Sequence, residues 1–426
     1  MDLNFGSEFA RRYVSEDETR RQIDAGEALL RQARQGALWN DRWLGWFSVA
    51  DSAPPALLDR ILEEAAYVHR AAAVMVVIGI GGSNRGAMAA IDALHRGLRS
   101  PTRIVYAGDT MSGAALRDII EIVQSESVML NVIAKDFNTL EPGIAFRVLR
   151  GAMIEKYGAD YGKRIIATGS RGPGQLFEVA QKNGYRFFDF PESIGGRFSV
   201  LSAVALFPMA VAGIDIAALV AGAKAAEKEL KVTDLYSNPA ARYAVNRNIL
   251  FSKGFIIESL VLFEPDLNAF ARWWTQLFAE TEGKNQSAIF PTAFLYSEDL
   301  HAVGQYVQQG KRCVAETYLR LFHENGDFLI GASSGVPDGF DYLDGKPFGE
   351  LNRAVYRAAL EAHSRDGVPC LEISVPALGE RGLGELFYFF MFACYLSASL
   401  LRVNPFTQDG VENYKKNMYR LLGKTI

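Results

Sequence analysis

The chain has 426 residues, 49% of them hydrophobic and 22% charged, with 27 Phe, 17 Tyr and 5 Trp; at roughly 100–200 residues per domain that is room for two or three cores, and it excludes global disorder. Lys and Arg number 45 against 49 Asp and Glu, a net charge of −4 with no block of one sign, so nucleic acid as a partner has no electrostatic footprint. Cys313, Cys370 and Cys394 have no short pairing spacing, which points to a reducing compartment and away from a disulfide framework or a zinc site.

Met1–Arg21 is polar and carries both signs of charge, unlike a secretory leader. Residues 1–60 read as a polar helical segment with an aromatic patch at Trp39, Trp43 and Trp46, to which the sequence assigns only packing under a later domain. From Val74 short apolar runs alternate with helix-length stretches. Strands are predicted at Val74–Ile80, Ile104–Tyr106, Val128–Ile133, Ile165–Thr168 and Phe187–Phe190, the pattern of a parallel sheet covered on both faces. Residues 61–192 thus form a first, smaller α/β domain. A second, larger one spans 193–402, opened by Gly195-Gly196-Arg197, with strands predicted at Phe255–Leu262, Ala288–Thr292, Phe328–Ile330 and Leu371–Val375. Residues 403–426 form a C-terminal helix with Val411, Tyr414, Met418 and Leu421 on one face. The longest uncharged runs, Phe198–Ile214 and Leu386–Leu401, fall short of the roughly 20 apolar residues of a spanning helix and read as core. The expected setting is the cytoplasm, with no membrane partner.

In an open parallel sheet, ligands bind beyond the carboxyl ends of the strands. The turn Gly79-Ile80-Gly81-Gly82-Ser83-Asn84-Arg85-Gly86 suits close backbone approach and an anion at a helix N-terminus; alone it is equally a tight ligand-free turn, and Asn84 stands where a dinucleotide fingerprint needs its third glycine. Lys135, at the next strand end, would meet an anion or be solvated. Phe270, Trp273, Trp274, Leu277 and Phe278 recur at helical spacing, so they are core. That helix stops near Gly283, which suits a left-handed cap. Glu280 falls in its last turn, where the helix dipole and apolar neighbours favour a protonated carboxyl and suit a general base. Ser297-Glu298-Asp299 reads as a helix cap followed by His301, and Lys415 flanks the apolar stripe of the last helix.

Four stretches together resemble the glucose-6-phosphate isomerase family, its short bacterial form in particular. They are Ile78–Ser83, Gly195–Ser202, Trp273–Gln305 and Asn404–Met418, and the likeness runs from about Val74 to the C-terminus. The resemblance implies an α/β fold of two doubly wound parallel-sheet sugar-isomerase domains with N- and C-terminal helices. It also implies a homodimer whose partner histidine completes each active site, with no metal and no organic cofactor. Residue by residue it makes Glu280 the base that moves a proton between C2 and C1 through a cis-enediol. It makes His301, assisted by Lys415, the ring-opening group, and Arg197 the guanidinium that stabilises the enediolate. Gln276 and Gln408 line the sugar site; Gly82, Ser83, Lys135, Thr139 and Glu141 match its anion-binding end.

The phosphate-binding turn departs from the family pattern of Ser-Lys-Ser/Thr, Gly or Phe, Thr-Thr, a variable residue and Glu. Lys135, Phe137, Thr139 and Glu141 keep it, but the hydroxyls at 134, 136 and 138 are replaced by Ala134, Asp136 and Asn138. Two unit charges 4 Å apart cost about 4 kcal/mol at an effective dielectric of 20, so Asp136 opposes a phosphate dianion. Arg85, after the Gly-Gly-Ser turn, would neutralise Asp136 or grip an anion with paired hydrogen bonds. A shorter, monoanionic C6 group fits this change. The sequence therefore puts 6-deoxy-6-sulfoglucose (sulfoquinovose) first as the small-molecule sugar with an anionic C6 group, ahead of glucose 6-phosphate. A non-catalytic, sugar-sensing role is the reading from another class; the presence of Glu280, His301, Arg197 and Lys415 argues against it.

Overall fold

The computed structural model describes residues 1–426 except 40, 96–99, 136, 172–174, 324–326, 333–334, 336–337 and 425–426. Its strands are β1 (Asn4–Gly6), β2 (Val74–Ile78), β3 (Arg103–Ala107), β4 (Val128–Ala134), β5 (Ile165–Gly169), β6 (Arg186–Asp189), β7 (Ile257–Leu262), β8 (Phe290–Leu295), β9 (Val314–His323) and β10 (Cys370–Ala377).

Every residue of β2, β4 and β5 is buried, which is why their sequences are unbroken apolar runs: helices cover both faces of the sheet. The first sheet has the order β3-β2-β4-β5-β6, all parallel. From β2 the chain winds outward to β3, and from β4 it winds the other way. The carboxyl ends of β2 and β4 therefore part at a topological switch point, where a crevice forms. Gly79–Ser83 and Lys135–Thr139 leave the sheet there.

The second sheet has the order β1-β10-β9-β7-β8. Its pairs are parallel except β1, which runs antiparallel to β10 with Phe5 opposite Ile373. The first residues of the chain thus complete the distant sheet. They are followed by the helix Glu16–Arg34, whose N-cap Ser15 hydroxyl accepts from the Glu18 N–H. One sequence expectation fails here, and one strand goes unpredicted. No strand forms at Phe328–Ile330, where Leu329 makes only an isolated bridge to Pro347. The strand is β9 instead, disguised by Glu316 and Arg320 within its run. Glu316 is fully buried because Tyr296, Tyr318 and His363 bond its carboxylate.

The helix Glu380–Leu400 is long and apolar enough by composition to cross a membrane, but 94% of its most apolar window is buried. It packs against helices Glu16–Arg34, Ile216–Val232, Pro239–Ser252 and Asn268–Glu282 and forms the centre of the core. The last of these helices carries Glu280.

Candidate active site

A cavity of ≈ 1010 Å³ opens where the first sheet's switch point faces the end of helix Asn268–Glu282 and the C-terminal segment. Phe270, Trp273, Trp274, Leu277 and Phe278 bury one face of that helix, which leaves Gln276 and Glu280, one turn apart, on the face that lines the cavity.

Glu280 does not sit among apolar neighbours as the sequence suggested. Its side chain is 33% exposed and receives three donors. Gln276 Nε2 donates to Oε1 at 2.8 Å, while Arg197 Nη1 (3.1 Å) and Gln408 Nε2 (2.8 Å) donate to Oε2. Gly283 has φ −67° and forms no left-handed cap. The reason is Lys284, whose Nζ donates to the carbonyls of Glu280 (3.0 Å) and Thr281 (2.5 Å), groups that such a cap would have satisfied. The positive φ values come two and three residues later, at Asn285 and Gln286.

Arg197 lies in the short turn Gly196–Leu201 and its side chain is only 2% exposed. Burial pulls the guanidinium below its ordinary pKa, and Glu280 opposes the shift. The same guanidinium donates to the carbonyls of Pro405 and Thr407 (3.4 Å), so it fastens the C-terminal segment to the carboxylate. Two buried atoms on the cavity walls, Arg197 Nε and Gln276 Oε1, lack a partner among the described residues. Buried groups left so call for a bound molecule or water.

The glycines of the first turn are there for contact. Gly81 has φ +57°, and a Cβ on it would sit 2.8 Å from Gln276 Nε2; one on Gly82 would lie 2.0 Å from the Gly196 carbonyl oxygen. This brings the N-terminus of helix Gly82–His95 against the Arg197 turn, with Ser83 on the wall. A second helix, Leu140–Tyr157, also begins at the cavity, behind Thr139 and Glu141; its N-cap Thr139 makes no capping bond with its side chain. Two positive helix ends therefore face the same space.

Lys135 lines the cavity but neither floats in solvent nor stands clear. Its Nζ donates to the carbonyls of Glu192 (2.7 Å) and Ile194 (2.8 Å) and lies 4.5 Å from the centre of the Trp43 ring. Burial, the largest influence, pulls it down to about 8. Asp136 lies outside the described residues, and with it the Arg85–Asp136 pairing. The described walls do not include Arg85 or Asn138; Asn138 offers its backbone carbonyl to Tyr419 Oη at 2.7 Å.

Lys415 lines the cavity 36% exposed and ion-paired to Glu412 at 2.8 Å, a bond that raises its pKa. His301 is not brought to these walls. It is exposed at the end of a four-residue 3-10 turn, Glu298–His301, which Ser297 does not cap; Asp299 closes it by accepting from the Leu295 N–H at 2.6 Å. Sequence reasoning missed Lys284 and the contact of Trp43 with Lys135. A lysine next to a helix-ending glycine was the available signal for the first; nothing local signals the second. Among the described residues no three His, Cys, Asp or Glu side chains cluster as metal ligands.

A family model described as phosphoglucose isomerase matches residues 63–328, more than half of the chain. A glucose-6-phosphate isomerase of Staphylococcus epidermidis is 39% identical over 428 residues, covering 100% of this chain and 96% of its own. One from Staphylococcus aureus strain NCTC 8325 is 39% identical over 416 residues, covering 97% and 94%. Among solved structures, a hypothetical protein of Thermus thermophilus superposes with a TM-score of 0.91 at 24% identity, covering 99% of both chains. A glucose-6-phosphate isomerase of Chlamydia trachomatis gives 0.83 at 18%, covering 99% of this chain and 88% of that one. These two likenesses show the fold. The family match and the full-length relatives show more: this chain belongs to the phosphoglucose isomerase family of aldose–ketose isomerases.

Proposed function

We propose that the protein interconverts glucose 6-phosphate and fructose 6-phosphate, as a homodimer that needs no metal or organic cofactor. The observation that carries the reading is the Glu280 carboxylate, held at the cavity wall by Arg197, Gln276 and Gln408. The partner subunit's His301 and Lys415 open the ring. Glu280 then takes the C2 proton of the open-chain aldose, the electron pair forms the C1–C2 double bond of the cis-enediol, and O1 gains a proton. Return of the proton to C1, with loss of the O2 proton, gives the ketose; C1 is reduced as C2 is oxidised. Arg197 faces the oxyanion that develops between these steps. The C6 phosphate lies toward Ser83, Lys135, Thr139 and the two helix N-termini.

This reverses the order drawn from the sequence. Relatives named for glucose 6-phosphate over their whole length support phosphate; the sulfonate reading keeps the substitutions at 134, 136 and 138. Lys135 adds to the second reading, since two of its three N–H bonds are spent on carbonyls. Side-by-side assays with glucose 6-phosphate and 6-deoxy-6-sulfoglucose, following ketose by NMR, decide between them. A higher kcat/KM for the phosphate is expected. A higher value for the sulfonate overturns the reading, and turnover of neither returns the chain to a sensing role.

A further inference from the structure

The N-terminal segment around Trp43 has no part in the reaction described above, yet it touches the anion end of the site. Trp43 closes the short turn Asp41–Trp43 and is half-buried. Its ring lies 4.5 Å from Lys135 Nζ and 5.2 Å from the Arg42 guanidinium carbon; Phe190 stands 5.6 Å from the same ammonium. Two residues on, the Gly45 N–H donates to the Ser193 carbonyl at 3.0 Å. Residues 43–45 thus pack on the loop whose carbonyls, at Glu192 and Ile194, hold Lys135, and that loop runs directly into Gly195-Gly196-Arg197. Lys135 is the strut between β4 and the Arg197 turn, and the indole is its platform.

We propose that Trp43 is a positioning residue for the C6 anion: by holding the Lys135 ammonium against the 192–194 carbonyls it directs the remaining N–H of Nζ into the cavity and so sets affinity for the substrate's anionic group. This rests on the isomerase reading and names the residue outside the catalytic set that tunes it. A cation over an indole is held by a modest attraction at a distance from the reacting carbons, so the effect belongs in KM rather than in the proton-transfer step. The charged groups facing the ammonium are Arg42 on the tryptophan's own turn and Glu192 on the opposing loop; the first disfavours and the second favours its charge.

The test is a double-mutant cycle on the full-length protein with Trp43→Leu, Lys135→Met and the double variant, with Trp43→Phe as the conservative control. Expected is a 5- to 20-fold rise in KM for the phosphate sugar in Trp43→Leu, with kcat changed less than threefold. Trp43→Phe should restore most of the affinity. If Trp43 acts through Lys135, the double variant is no worse than Lys135→Met alone, whereas independent effects would multiply. Multiplying effects overturn the proposal, as does a loss in kcat that Trp43→Phe fails to rescue. Wild-type turnover is read in the same experiment, so failure of the isomerase reading shows there; the cycle is then scored by thermal shift with glucose 6-phosphate and with 6-deoxy-6-sulfoglucose.

Discussion

Arg197 Nη1 lies 3.1 Å from Glu280 Oε2, and the guanidinium that makes this contact is almost wholly buried. In the resting site it faces a carboxylate. In the proposed reaction Glu280 becomes neutral once it takes the C2 proton, and the negative charge passes to the enediolate until O1 is protonated. On that reading Arg197 faces a negative charge both before and as the proton moves, so the buried cation is compensated while the charge shifts from the carboxylate to the sugar oxygen. Arg197→Lys keeps the charge but gives up the fork that reaches Glu280, Pro405 and Thr407 together. We expect kcat to fall about 10²–10³-fold, the scale of losing one oxyanion donor, with KM changed far less. Steady-state kinetics check it; a loss confined to KM would move Arg197 to substrate binding.

Glu280→Gln preserves shape and removes basicity. Turnover should drop about 10²–10⁴-fold, while the substrate still binds, because Gln276, Lys135 and Thr139 remain in place. Isothermal titration with the substrate reads binding separately from turnover. Unchanged turnover would show that another group takes the proton.

Lys284 makes a pH-dependent contribution whose sign is set by burial. Desolvation pulls its ammonium down to about 8 in the folded protein, against roughly 10.4 in an unfolded chain. Between those values the unfolded state binds more protons, so this residue's contribution to stability rises with pH across the window and is at its least favourable below pH 8. Lys284→Met removes the term. The difference in unfolding free energy, wild type minus variant, should therefore increase from pH 7.5 to 10. Urea unfolding at several pH values measures it, and taking the difference cancels the cysteines and tyrosines common to both proteins. A flat difference would mean that Lys284 is not desolvated.

Behind Glu280, Arg247 is buried between Glu258 and Glu282, bonding the first through Nε and the second at 2.8 Å, and Tyr243 and Thr317 also donate to Glu258. Glu282 is two residues from Glu280, so this cluster anchors the turn that carries Glu280. Arg247→Met leaves two buried carboxylates without their cation and should cost about 3–5 kcal/mol. A loss below 1 kcal/mol by chemical denaturation would show that the carboxylates find protons or water instead.

The strands of the first sheet were legible because burial on both faces wrote them as unbroken apolar runs; β2, β4 and β5 lie within a residue or two of their predicted bounds. β9 was not, because Glu316 sits in its interior and only Tyr318 among its partners is local; Tyr296 and His363 reach it from outside the strand. The same split runs through the site. Glu280 and Gln276 share a helix face and could be read from spacing. The ring of donors on Glu280 could not, since Arg197 and Gln408 lie 83 and 128 residues away in sequence. Nor could the setting of Lys135, which depends on Trp43 and on two backbone carbonyls that carry no signature in sequence.

His301 is exposed and stands apart from the cavity walls of its own chain, which is where a residue donated to a second subunit has to be. If each site combines Glu280 of one subunit with the partner subunit's His301, two dead variants should rescue one another. On that reading the His301→Ala and Glu280→Gln proteins should each be nearly inactive alone. In a mixed dimer, one site receives both substitutions and the other receives neither. Equal mixing by unfolding and refolding yields about half mixed dimers, each with one intact site, so about a quarter of wild-type activity should return. Activity that stays at the level of the separate variants would place His301 and Glu280 in the same subunit's site, and would require His301 to swing inward from the position it holds here.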